Sequence, residues 1–281
     1  MKWQGRRGSR NIEDRRRMSV GKTAGIGGIG AIAIMLIGAY MGVDVSALLD
    51  NSGGQSGTGN AELTAADKRA GKFVSVTLAD TEEIWSEIFS EQVGKSYQPV
   101  TLVLFKGATR SACGGANGAT GPFYCPGDKK VYLDTAFFTT LSRRMGAEGD
   151  FAAAYVVAHE VAHYVQDSLG ILGEANKIRQ QVSTTDSNAI SVRIELQADC
   201  YSGIWARRAN ERFGSIERGD IAEAMNAAKQ IGDDTLQRNA GQRPMPHTFT
   251  HGTSEQRQRW FRTGYESGEL ADCDTFGTDN L

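Results

Sequence analysis

FAAAYVVAHEVAHYVQ, residues 151–166, decides how this chain is read. The segment is apolar almost all round, as a helix buried in a core is, yet His159, Glu160 and His163 interrupt it. A carboxylate and two imidazoles are costly to bury without partners, so the segment predicts a compensating group. Residues four apart share one helical face. Two imidazoles stacked one turn apart can hold a single metal ion, while the Glu between them reaches the water that such an ion activates. The spacing is HExxH. Ordinary core histidines with satisfied hydrogen bonds are the plain alternative.

Two imidazoles do not complete a catalytic zinc site, which takes three protein ligands and keeps one open position. The next strongly apolar helix, RIELQADCYSGIW (193–205), carries Glu195 and Asp199, again four apart. Glu195 is the candidate third ligand. Asp199 is placed to accept a hydrogen bond from the far nitrogen of His159 and so fix its tautomer. Ala198 is small enough to let the two helices approach closely. An exposed acidic face paired with Arg193 is the alternative reading of these two carboxylates. The remaining histidines, His247 and His251, lie in PMPHTFTHGTSEQR (244–257), where Thr253 or Ser254 can cap a helix.

Working outward, Leu63 to Gly94 has helical spacing, with Asp80 placed to cap a second helix through TEEIWSEIFSEQV. VTLVLF (100–105) predicts a buried strand. A Gly-dense loop follows, then a hairpin through FYC and KKVYLD, with Cys113 and Cys125 closing the loop before it. From Asp134 onward the pattern is helical. The body is thus α+β, a small sheet followed by a helical array.

Residues 25–43, GIGGIGAIAIMLIGAYMGV, carry no charge and match about one bilayer span. Met1 to Val43 holds eight Lys or Arg against two acids, and the remainder 23 against 31. An acidic body argues against nucleic acid as a partner. The basic start argues for a signal anchor inserted in a lipid bilayer with the N-terminus cytosolic. A signal peptide cleaved after Val45-Ser46-Ala47 is the alternative. NSGGQSGTGN (51–60) has the composition of a flexible linker. The expected division is a cytosolic basic segment 1–22, a transmembrane anchor 23–45, a linker 46–62 and a folded domain 63–281. Four cysteines then face an oxidising compartment. Of three possible pairings, Cys113 with Cys125 and Cys200 with Cys273 is favoured over free buried thiols.

His159-Glu160-x-x-His163 followed by Glu195-x-x-x-Asp199 resembles the gluzincin arrangement of thermolysin-like metallopeptidases. FYCPGDKKVYLD, AHEVAHYVQ, ELQADCYSGIWA and HGTSEQRQRWF together resemble the bacterial family called putative neutral zinc metallopeptidases. The likeness spans essentially the whole chain, anchor included. It implies a zincin-like body on the bacterial inner membrane, facing the periplasm or the exterior, with one Zn²⁺ held by His159, His163 and Glu195. It further implies Glu160 as general base, His251 as the histidine that steadies the oxyanion, and an edge strand near Tyr124 and KKVYLD that pairs with a protein or peptide substrate. A non-catalytic module that binds peptides or envelope proteins in the same groove is the competing expectation.

Overall fold

The computed structural model describes residues 1–17, 62–117 and 120–281. Helix α1 (Ala65–Ile88) starts at a capping box, in which the Thr64 side chain accepts from the Asp67 backbone and the Asp67 side chain accepts from Thr64. It runs on through one π turn, Phe89–Val93, and stops at left-handed Gly94. The second helix expected to begin at Asp80 does not exist. Asp80 lies inside α1, buried, and accepts a 2.7 Å hydrogen bond from Arg6. Burial pushes its carboxyl up to about 7 against the opposing pull of Arg6. A residue that caps helices in isolation is here a helix-interior anchor for a distant segment.

The main sheet has the order β1-β2-β6-β5, where β1 is Ile12–Asp14, β2 Thr101–Phe105, β5 Phe123–Cys125 and β6 Lys130–Asp134. β2 pairs parallel with β1 and β6, and β5 pairs antiparallel with β6. Of the expected hairpin, KKVYLD (β6) is inner and FYC (β5) is the edge. The Gly-dense segment expected as a loop holds a second small sheet, β3 (Ala108–Ser111) against β4 (Gly114–Asn117). The Cys113–Cys125 disulfide fastens its tip to β5, with Cα atoms 5.8 Å apart.

Residues 1–17, which fall in the expected basic segment 1–22, pack against the body. Ile12 and Asp14 stand beside Leu102 and Leu104 in the sheet, and Trp3 is buried edge-on against Phe73 of α1. The basic residues meet acids of the body: Arg6 with Asp80, and Arg7 with Glu83. Ser9 and Asn11 both donate to Glu82. Among the described residues no helix is long and apolar enough to cross a membrane. The candidate anchor 23–45 and nearly all of the linker 46–62 lie outside the described residues.

The helical array follows: α2 (Phe137–Arg143), α3 (Asp150–Ser168), α4 (Ile171–Arg179), α5 (Thr184–Phe213), α6 (Asp220–Gln230), α7 (Asp233–Asn239) and α8 (Ser254–Ser267). α3 is the central helix, buried almost throughout against α1, α5, α6 and the β5–β6 hairpin. Phe151 of α3 stacks on Trp205 of α5, and Tyr155 meets Phe261 of α8 edge-on. α5 and α8 cross at two glycines. A Cβ on Gly203 would stand 2.0 Å from the Phe261 carbonyl oxygen, and one on Gly264 would stand 1.8 Å from that of Cys200. Only hydrogen at both positions lets the backbones touch. That approach brings the first turn of α8 against Asp199 of α5.

Candidate metal centre

α3 and α5 present their polar residues to each other from otherwise apolar surfaces. His159 Nε2 lies 3.0 Å from one oxygen of Glu195, and His163 Nε2 lies 3.5 Å from the other. The two imidazole rings are perpendicular, with centroids 4.8 Å apart. One nitrogen from each ring and one Glu195 oxygen all fall within 4.8 Å of one another. Donors about 2.0–2.2 Å from one tetrahedral ion stand roughly 3.4 Å apart. The donor set and its spacing thus fit Zn²⁺, and two imidazoles with a carboxylate are the chemistry that ion prefers.

The opposite nitrogens are also engaged. His159 Nδ1 faces Asp199 Oδ1 at 2.9 Å, and His163 Nδ1 faces Gln166 Oε1 at 2.9 Å. Each ring therefore turns Nδ1 to a fixed acceptor and Nε2 to the shared centre, the arrangement that orients metal-ligating histidines. Burial alone would push the His159 imidazole down. The carboxylates of Asp199 and Glu195 outweigh it and hold it up at about 10. Glu195 itself is held well below the usual carboxylate range, because the attraction of His163, His251 and His159 overcomes its burial. The pocket is one that attracts positive charge.

Glu160 is buried one residue beyond His159, and no side chain among the described residues hydrogen-bonds it. Burial pushes its carboxyl up, opposed by His163 and His159. A buried carboxyl next to three converging donors, and tied to none of them, is free to take a proton.

Asp199 is fully buried and held by three side chains through four contacts. Arg257 of α8 donates to both its oxygens, at 2.8 and 3.0 Å. Tyr155 donates at 2.5 Å, and His159 makes the fourth. Arg257 is itself buried and lies 4.0 Å from Glu195. Arg193, offered above as a surface partner for the acidic pair, instead donates to the carbonyls of Thr275 and Thr278.

His251 sits at the rim, its side chain 48% exposed. The residue that places it is Asp233, which the sequence did not single out. One oxygen of this buried carboxylate accepts the backbone N–H groups of Thr250, His251 and Gly252, at 2.7, 2.6 and 3.1 Å. The other lies 3.3 Å from His251 Nδ1. Burial would lower the His251 imidazole, but Glu195 and Asp233 together raise it. The only signal for Asp233 in the sequence is a Gly-Asp-Asp run at the start of a short helix, which reads as a cap. His247 belongs to a different surface. It is exposed in the 3₁₀ turn Pro246–Thr248, and its carbonyl accepts from Asn188.

Both favoured disulfides form, Cys113–Cys125 and Cys200–Cys273. Tyr124, on the edge strand, donates to Asp167 at the end of α3. β5 is thereby fastened to the helix that carries HExxH.

A sequence profile described as putative neutral zinc metallopeptidase matches residues 1–276. The chain is 43% identical, over 99% of both chains, to the uncharacterized protein YpfJ of Escherichia coli (strain K12). It is 39% identical to the uncharacterized protein Rv2575 of Mycobacterium tuberculosis (strain H37Rv), over 78% of this chain and 75% of that one. No solved structure matches it.

Proposed function

The chain belongs to the putative neutral zinc metallopeptidase family, and on that premise we propose that it hydrolyses peptide bonds at a single zinc site held by His159, His163 and Glu195. The observation that carries the proposal is the convergence of two Nε2 atoms on one carboxylate, with a separate acceptor behind each ring. Zn²⁺, when bound, supplies a Lewis acid that acidifies water and polarises a carbonyl. Glu160 takes the proton from the attacking water and passes it to the departing amine. Asp199 keeps His159 in the tautomer whose Nε2 is free. His251, steadied by Asp233, donates a hydrogen bond to the oxyanion of the tetrahedral intermediate. The β5 edge, whose outer side pairs with no strand among the described residues, offers backbone hydrogen bonds to an extended substrate. Two disulfides support an oxidising compartment outside the cytosol as the place of work. Contact with a lipid bilayer is part of the same proposal and rests on residues 25–43 alone.

Elemental analysis of the purified chain beside its Glu195→Ala variant tests the site. About one zinc per chain in the wild type, lost in the variant, is expected. Unchanged zinc in the variant would move the third ligand to Asp199. The activity is tested by mass spectrometry of a mixed peptide library incubated with the zinc-loaded protein. A protein that holds zinc yet cleaves nothing would be the binding module. His251→Ala is expected to keep its zinc and lose about 10²- to 10³-fold in turnover, the usual cost of one oxyanion donor. Full turnover in that variant would leave the oxyanion without His251.

A further inference from the structure

Gln166 follows the HExxH residues on α3 and is wholly buried. A buried amide must place both its donor and its acceptor. Nε2 of Gln166 donates to the Ile194 carbonyl at 2.8 Å and to Gln197 Oε1 at 3.0 Å, which uses both of its protons. Oε1 is therefore the atom that meets His163 Nδ1, and it can only accept. Nδ1 of His163 then carries the ring proton and Nε2 is left free toward Glu195. The orientation of one amide decides which nitrogen of the second histidine can bind metal.

The amide is held in turn from further away. Gln197, also buried, donates to the backbone carbonyl of Cys273 at 3.1 Å. Cys273 ends the 3₁₀ turn Leu270–Cys273 and is joined to Cys200, the residue after Asp199. Both cysteines are fully buried. Just beyond, the Thr275 hydroxyl donates to the Arg193 carbonyl at 2.7 Å, while Arg193 donates to the carbonyls of Thr275 and Thr278. The segment 270–278 thus clasps the stretch of α5 that carries Glu195 and Asp199. The disulfide is its covalent fastening.

We propose that Gln166 is the positioning residue of His163, and that the relay Gln166–Gln197–Cys273 couples zinc affinity to the Cys200–Cys273 disulfide. The proposal rests on the zinc reading above. When a dithiol reductant opens the disulfide, two electrons and two protons pass to the sulfurs, the S–S bond breaks, two thiols form and the reductant leaves as its own disulfide. Segment 270–278 is then tied to α5 by hydrogen bonds alone. Gln197 loses a fixed acceptor, the Gln166 amide is left with the Ile194 carbonyl as its one fixed anchor, and the tautomer of His163 is held less firmly.

The test is zinc affinity of the full chain, measured by competition with a chelating dye, with circular dichroism on each variant. Gln166→Leu is expected to bind zinc 10- to 100-fold more weakly, the usual cost of removing the partner of a ligating histidine. Gln166→Glu keeps the acceptor on His163 and, protonated on its other oxygen, can still donate to the Ile194 carbonyl; it is expected to recover most of the affinity lost in Gln166→Leu, which a purely structural role for the amide would not produce. Should Gln166→Leu fail to fold, Gln197→Leu removes the next link without touching His163 and is expected to weaken zinc in the same direction by a smaller factor, since the Ile194 carbonyl still holds the Gln166 amide; unchanged affinity there would break the relay. Cys200→Ser with Cys273→Ser should weaken binding, and adding Gln166→Leu to it should cost little more. Cys113→Ser with Cys125→Ser should bind as wild type does, and weaken on reduction. Wild-type affinity unchanged after reduction, with thiol counting showing the disulfide open, would overturn the coupling. Full affinity in Gln166→Leu would overturn the positioning role and leave the zinc site standing. A wild type that takes up no zinc would remove the zinc reading and this proposal together.

Discussion

Glu160→Gln is expected to hold zinc as tightly as the wild type and to lose two to four orders of magnitude in peptide cleavage, the usual contribution of a positioned general base. The substitution keeps the size and shape of the side chain and removes only its ability to take a proton. Since no side chain among the described residues hydrogen-bonds Glu160, the change leaves none of them without its partner. The folded state should be no less stable, because burial of the carboxyl already works against its charged form. Zinc content and thermal midpoint serve as the controls. Turnover at the wild-type rate in a zinc-loaded Glu160→Gln protein would remove the proposed chemistry, whatever the ligand set.

Arg257→Leu is expected to be the most damaging single change to stability, by about 3–5 kcal/mol, the cost of removing one partner from a buried ion pair. The guanidinium fills the space between α5 and α8, where it donates twice to Asp199, to the Tyr155 hydroxyl at 3.3 Å and to the Ile231 carbonyl at 3.3 Å. Its loss leaves Asp199 fully buried with a negative charge and only Tyr155 and His159 to answer it. For a folded body of this size that corresponds to a fall of about 10 °C in the thermal midpoint. The same change reaches the metal, because Asp199 stands behind His159. Arg257→Lys restores the charge without the planar fork, so it should recover part of the stability. Equal midpoints for the wild type and Arg257→Leu would show that Asp199 is neutralised by other means.

The residues readable in advance are those whose meaning is local. His159, Glu160 and His163 are legible because a charged interruption of an apolar helix needs a reason, and Glu195 with Asp199 because four residues is one helical turn. Gln166 lies in the same quoted stretch and went unread, since its role depends on Gln197 and Cys273, far along the chain. Asp233 is hidden in the same way. Its work is done on the backbone of residues 250–252, and nothing about a Gly-Asp-Asp run announces that. Asp80 reads as a cap because a helix propensity argument cannot see Arg6, 74 residues upstream. The β3–β4 hairpin escaped because its ladder is made by backbone groups of glycine-rich sequence, which carries no alternating side-chain pattern.

The pairing of β1 with β2 has a topological consequence. Residues 12–14 and 101–105 are neighbours in one sheet, and Arg6 and Trp3 lie against the same body as the HExxH helix. Whatever course residues 18–61 take, they leave from that body and return to it. A single crossing by the 19 apolar residues 25–43, with Arg6 on one face and His159 on the other, would require β1 to be stripped from the sheet and Asp80 to be left buried without its cation. In the folded protein Arg6 and Arg7 lie against Asp80 and Glu83 of α1, and Arg15 and Arg16 against Glu13 and Asp14 of their own segment, so part of the basic charge that begins the chain is answered by the fold itself.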